Sequence, residues 1–220
     1  MIEQNVKNLL SAIPQKNGYG EKITLVAAVK TQTPEDINRA INAGITDIGD
    51  NKVQEFKEKY EHITAVNRHF IGRLQTNKVK YLIGKVDLYH SVDSLRLAEE
   101  ISKQSGKQGI TSDILMEINI GEEQSKGGFT FDEVSYAYGE IKKLPNVQIN
   151  GLMAMLPFTD DKTLLNRLAK KMRSLYDGFK EKDTNFKYLS MGMSGDWELC
   201  VEAGSNTIRL GTAIFGKRNY

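Results

Sequence analysis

A polar leading segment, about residues 2–15, predicts a helix, and beyond it short apolar runs alternate with longer amphipathic stretches. The apolar runs predict strands over residues 23–29, 46–48, 69–71, 88–90, 114–119, 148–153, 188–191 and 207–210. Helices are predicted between them, over 34–43, 52–62, 77–83, 94–104, 131–144, 162–182 and 196–202. The first of these has Thr33 as N-cap, Pro34 at its first position and Gly44 at its end, and the fifth closes at Pro145. Eight strands that each lead into a helix predict a parallel α/β fold. Closure into a single (β/α)8 TIM barrel with an extra N-terminal helix, one domain over residues 1–220, leaves no exposed sheet edge. An open doubly wound sheet is the alternative.

Composition changes that picture little. The chain is 40% hydrophobic and 26% charged, as an ordinary globule is, and its +2 net charge argues against a dedicated nucleic-acid or anionic-membrane binder. Its one cysteine, Cys200, cannot form an internal disulfide, and no Cys/His cluster suggests zinc. With neither a signal-like N-terminus nor an apolar run of about 18 residues, the expectation is a cytoplasmic protein.

In barrels of this kind chemistry collects where strands end, and the unusual residues cluster there. Lys30 follows the apolar run LVAAV; GDNKVQE (49–55), HFIGRLQTNK (69–78), MGMSGDWE (191–198) and RLGTAIFG (209–216) end strands two, three, seven and eight. The last two are glycine-containing turns where barrels often bind phosphate, because backbone N–H groups are available there.

Each residue has a bland reading beside the functional one. Lys30 either reaches solvent or, desolvated at a buried strand end, becomes an amine neutral enough to attack an aldehyde. Alternation across 207–211 turns Arg209 away from Ile208 and Leu210 and into the barrel mouth. It meets there either an anionic acceptor or an interior carboxylate such as Asp50 or Asp196. His69 is a general base, a ring-stacking group or a core histidine bonded to backbone. Met191 and Met193 are core filler or cofactor walls, Trp197 packs at a helix start, and residues 170–173 form a solvated helix face.

Taken together these segments, with HSVDS (90–94), INIGEEQSKGG (118–128) and GLMAM (151–155), resemble the pyridoxal phosphate homeostasis family, in that family's order and over nearly the whole chain. The chain departs from the usual pattern at Ala28, Asp50, Arg68 and Gly128. The resemblance implies a fold like the alanine racemase N-terminal domain, with pyridoxal 5′-phosphate (PLP) held as a Schiff base on Lys30. It further implies that Ser194, Gly195, Gly211 and Thr212 hold the phosphate, that Arg209 faces the pyridine nitrogen, and that Asn51, His69 and Met191 line the ring. A cationic arginine beside that nitrogen disfavours its protonation and weakens the ring as an electron sink. Since the chain runs only nine residues past Gly211, a second, site-closing domain has no room, and the ring face opposite the lysine is expected to be open.

The leading expectation is therefore a non-catalytic PLP carrier or buffer. Its partners would be PLP and PLP-dependent apo-enzymes, without nucleic acid, membrane or metal, and with a monomer as the default. The competing readings are a PLP-dependent amino-acid racemase or lyase, for which His69 and Tyr89 are the candidate acid/base residues, and a Schiff-base aldolase without PLP.

Overall fold

The computed structural model describes residues 1–123 and 127–216. Residues 124–126 of the INIGEEQSKGG segment and the end of the chain at 217–220 lie outside the described residues. Helix α1 (Ile2–Ala12) precedes eight parallel strands: β1 (Thr24–Ala28), β2 (Asp47–Asp50), β3 (Asn67–Phe70), β4 (Leu88–Val92), β5 (Ser112–Ile118), β6 (Val147–Ala154), β7 (Tyr188–Ser190) and β8 (Thr207–Leu210). Each pairs with the next and β8 pairs with β1, which closes the barrel and removes the open-sheet alternative. The intervening helices are α2 (Pro34–Asn42), α3 (Val53–Lys59), α4 (Leu95–Lys107), α5 (Phe131–Ile141), α6 (Lys162–Lys180) and α7 (Trp197–Glu202), and a short α8 (Thr212–Phe215) follows β8.

Local chemistry explains half of the helix starts. The side chains of Thr33, Ser94 and Asp161 accept from backbone N–H groups in the first turns of α2, α4 and α6, and Thr130 with Glu133 forms a capping box on α5. Two expectations change. Between β3 and β4 the chain forms a 3-10 helix, Thr76–Tyr81, rather than an α-helix. Within 170–173, expected to be a solvated face, Arg173 is only 6% exposed, because it pairs with Glu21 at 2.7 Å and with Asp177 at 2.7 Å. Glu21 ties the segment before β1 to α6 in this way.

Strand alternation sorts the core. Leu25, Ala27, Ile48, Phe70, Ile114, Leu152, Leu189, Ile208 and Leu210 are buried between barrel and helices. The interior has a small apolar cluster, Leu88, Leu115 and Met153. Beside it, however, lie buried Asp47, His69, His90, Glu117, Ser190 and Arg209. A barrel interior is ordinarily filled with Val, Ile and Leu, so this polar content singles out the interior beneath the rim.

Candidate functional site

The C-terminal rim holds a cavity of about 530 Å3. Successive inward positions of three neighbouring strands open onto it: Ala28 and Lys30 from β1, Asn51 after β2, and Ile71 after β3. Arg209, Gly211 and Thr212 close it from β8, and Met193, Ser194 and Gly195 from the turn after β7. The segment after β6 supplies Met155 and the fully exposed Phe158. Seven of the nine residues expected from sequence, namely Lys30, Asn51, Ser194, Gly195, Arg209, Gly211 and Thr212, thus share one wall.

The other two do not. Met191 is fully buried in the outer core, because β7 turns Tyr188 and Ser190 inward and Leu189 and Met191 outward. His69 does face the interior, but below the cavity: its Nε2 is 3.0 Å from Asp47 Oδ1 at the start of β2, and its Nδ1 is 2.8 Å from His90 Nε2. Ile71, the next inward residue on the same strand, takes the lining position. Tyr89, the other candidate acid/base, is buried in the outer core beside Phe70 and Ile114.

Lys30 is half-buried on a tight turn. The next residue, Thr31, has φ +64°, a left-handed conformation disfavoured for a β-branched side chain. Glu55 of α3 holds that turn by accepting the Thr31 N–H at 2.8 Å. Lys59 braces the same segment by donating to the Val29 carbonyl at 3.3 Å. These contacts account for GDNKVQE as a motif: Asn51 lines the cavity and Glu55 anchors the lysine's turn. In HFIG the glycine is required by space, since a Cβ on Gly72 would lie 2.1 Å from the Asn51 carbonyl oxygen.

Arg209 is 6% exposed and bonded to neither carboxylate considered from sequence. It donates to the carbonyl of Ser190 at 2.9 Å, to Ser190 Oγ at 2.5 Å and to the Ala154 carbonyl at 3.1 Å. Asp50 lies on the outward face of β2 instead, where burial pushes its carboxyl up to about 6 against the pull of Lys59 and Arg68. One inward acid was missed from sequence. Glu117 on β5 is 7% exposed and its carboxyl accepts no hydrogen bond among the described residues. Burial, with Asp93 nearby, raises it to about 7, while Arg209 and Arg73 oppose the shift. Its signal was a lone acid in the apolar run ILMEI.

The wall suits a phosphorylated aromatic aldehyde. Asn51 Oδ1 is buried without a partner, the Ser194 and Gly195 N–H groups donate to no acceptor among the described residues, and a Cβ at Gly195 would touch nothing within 4 Å. The two N–H groups are free donors beside open space, as an anionic tail needs, whereas the Asn51 oxygen is an acceptor left for a donor group of a ligand. Among the described residues no group of side chains could hold a metal ion, and no helix is long and apolar enough to cross a membrane.

A closed parallel barrel with a rim lysine, a buried arginine and two open turns after its last strands is of the alanine racemase N-terminal-domain class, and residues 2–219 match that family. Within the class, the chain belongs to the pyridoxal phosphate homeostasis family. It is 42% identical over 210 residues to the pyridoxal phosphate homeostasis protein of Aquifex aeolicus, covering 94% of this chain and 92% of that protein. It is 35% identical to the Escherichia coli K12 protein of that name, covering 98% and 94%. PipY of Synechococcus elongatus, solved with PLP bound, superposes with a TM-score of 0.86 at 28% identity, covering 98% of this chain and all of that one. An alanine racemase of Clostridium difficile superposes at 0.80 with 15% identity, covering all of this chain but 56% of the enzyme, a likeness of fold alone.

Proposed function

We propose that this protein binds PLP and serves intracellular PLP homeostasis, holding the cofactor as a Schiff base on Lys30 without turning over a substrate. The observation that carries this reading is the single wall shared by Lys30, Arg209 and the Ser194–Gly195 and Gly211–Thr212 turns. The names of the relatives and the PLP in PipY support the same ligand. Bound PLP supplies an aldehyde, an electron-accepting ring and a phosphate. The Lys30 amine would hold the aldehyde carbon as an imine, with loss of water, and addition of water or another amine would release it. Ser194, Gly195, Gly211 and Thr212 hold the phosphate, Arg209 faces the ring nitrogen as a cation, and Asn51 contacts the ring. A reversible attachment suits a carrier, whose partners are PLP-dependent apo-enzymes in the cytoplasm.

The non-catalytic part of the reading is supported by where the two expected acid/base residues point. His69 lies beneath the cavity and Tyr89 outside the barrel. One observation favours a residual racemase or lyase activity instead: Glu117, a buried carboxyl raised to about 7 on the inward face. The test is spectroscopic. Lys30→Ala is expected to abolish the visible absorbance of PLP-loaded protein while leaving far-UV dichroism unchanged, and borohydride reduction of the parent should leave its adduct on the Lys30 peptide. The same chromophore in Lys30→Ala would overturn the linkage. Separately, Cα-proton exchange of amino acids in deuterated water well above that of free PLP would defeat the carrier reading.

A further inference from the structure

Four consecutive hydrogen bonds run through the buried barrel interior. Arg209 Nη1 donates to Ser190 Oγ at 2.5 Å, Ser190 Oγ is 3.0 Å from His90 Nδ1, His90 Nε2 is 2.8 Å from His69 Nδ1, and His69 Nε2 is 3.0 Å from Asp47 Oδ1. The line joins five residues on five strands, β8, β7, β4, β3 and β2. All five are buried, with His90 and Ser190 fully so.

With both rings neutral, the ends set where every proton sits. A guanidinium only donates, so Ser190 Oγ accepts from Arg209, and its own hydrogen is available to a neutral His90 Nδ1. His90 therefore carries its hydrogen on Nε2 and gives it to His69 Nδ1, and His69 in turn donates from Nε2 to Asp47. The other end agrees. Asp47 is held below the usual carboxylate range, because hydrogen bonds from His69 and Thr46 outweigh the upward push of burial, so it is an acceptor only. Burial above all, with the Arg209 cation nearby, pushes His90 well below its ordinary value, which keeps that ring neutral. A guanidinium has five N–H groups. Three bonds from Arg209 go to Ser190 and Ala154, and the Nε–H and one Nη2–H have no acceptor among the described residues. Those two remain for whatever occupies the cavity that Arg209 lines.

We propose that Asp47, His69, His90 and Ser190 form a hydrogen-bonded line of fixed sense that positions and polarises Arg209 against the ring nitrogen of the bound cofactor. The inference rests on the PLP reading for the identity of that ring. The four are positioning residues, since Arg209 alone reaches the cavity. Hydrogen bonds in series polarise one another in a low-dielectric interior. A line ending on a carboxylate therefore draws the guanidinium's charge along it and limits its rotation. His69, expected from sequence to line the ring, acts here through Arg209 instead.

Two measurements test this. In the protein without cofactor, 15N spectra at neutral pH should show His69 and His90 protonated at Nε2 and bare at Nδ1. A hydrogen on Nδ1 of either ring, or a doubly protonated ring, would overturn the line whatever the ligand is. In PLP-loaded protein, Ser190→Ala and His90→Phe should shift the visible band and raise the PLP concentration for half-saturation about tenfold. His90→Gln, able to accept at one end and donate at the other, should restore the parent spectrum, which a merely structural role would not predict. Parent-like spectra and affinity in Ser190→Ala and His90→Phe variants that melt as the parent does would refute the positioning role. Parent protein that takes up no PLP would sink the functional reading instead, and the 15N result would still judge the line.

Discussion

Gly72→Ala isolates the contact between the second and third strand ends. The added Cβ would lie 2.1 Å from the Asn51 carbonyl oxygen and 2.6 Å from the Asn51 carbonyl carbon and Cα, all backbone atoms. Ordinary contact begins at 3.4 Å, so the two segments must part by about 1.3 Å. Neither yields easily. The Ile71 N–H donates to the Asp50 carbonyl at 2.9 Å, and Ser91 Oγ donates to the Gly72 carbonyl. Overpacking of this kind costs about 1–3 kcal/mol, and a rigid backbone obstacle places this case toward the upper end. For a chain of this size that is a fall in Tm of roughly 5–10 °C. Because Asn51 lines the cavity, PLP affinity should fall as well, by about tenfold for a displacement near 1 Å. The assay is a melt paired with an absorbance titration, using Gly139→Ala as control. Gly139 lies within α5 and a Cβ there meets nothing within 4 Å, so that variant should gain roughly 0.5–1 kcal/mol. Gly72→Ala melting no lower than the parent, with unchanged affinity, would refute the steric argument.

Other expectations follow from buried charge. Glu21 is held down to about 2, since hydrogen bonds from Arg173, Lys180 and Asn17 outweigh burial. Its stabilisation is thus present above the ordinary glutamate range and lost as pH falls toward 2, and Glu21→Gln should cost about 2–3 kcal/mol at neutral pH but little in strong acid, by denaturant titration across pH. Asp50 has the opposite sign. Its carboxyl, raised to about 6 by burial, charges at a penalty as pH rises. Asp50→Asn should therefore be more stable than the parent by about 2–3 kcal/mol at pH 8 and by little at pH 4; equal gains at both would remove the burial explanation. Cys200 is fully buried and its thiol is pushed upward chiefly by burial. A thiol reagent should therefore label it only as fast as the protein unfolds, and rapid stoichiometric labelling of native protein would contradict that burial.

Much of the fold was legible because its signals are local. Thr33 and Pro34 start α2 where their chemistry requires, and eight apolar runs mark eight strands within a few residues. Period-two alternation in β8 turned Arg209 inward from sequence alone. At β3 and β7 no such alternation was read: His69 and Met191 were placed at the ring by the family resemblance, and strand pairing puts them elsewhere. With His69 opposite Gly49, the rim position on that strand falls to Ile71. In β7 the inward pair is Tyr188 and Ser190, which leaves Met191 in the outer core. The 3-10 helix at Thr76–Tyr81 likewise replaces an α-helix that periodicity favoured.

What the sequence by itself determined was the order of elements, the lysine at the end of the first strand and the two turns after the last strands. All of these depend on residues close together in the chain. Tertiary structure alone decided what each inward side chain meets. Arg209 finds Ser190 rather than Asp50 or Asp196, Glu55 reaches back to Thr31, and two histidines 21 residues apart touch. The physical reason is closure: a strand's pleat sets the direction of a side chain, but its partner across the barrel is set by register and curvature summed over eight strands, which no local pattern encodes.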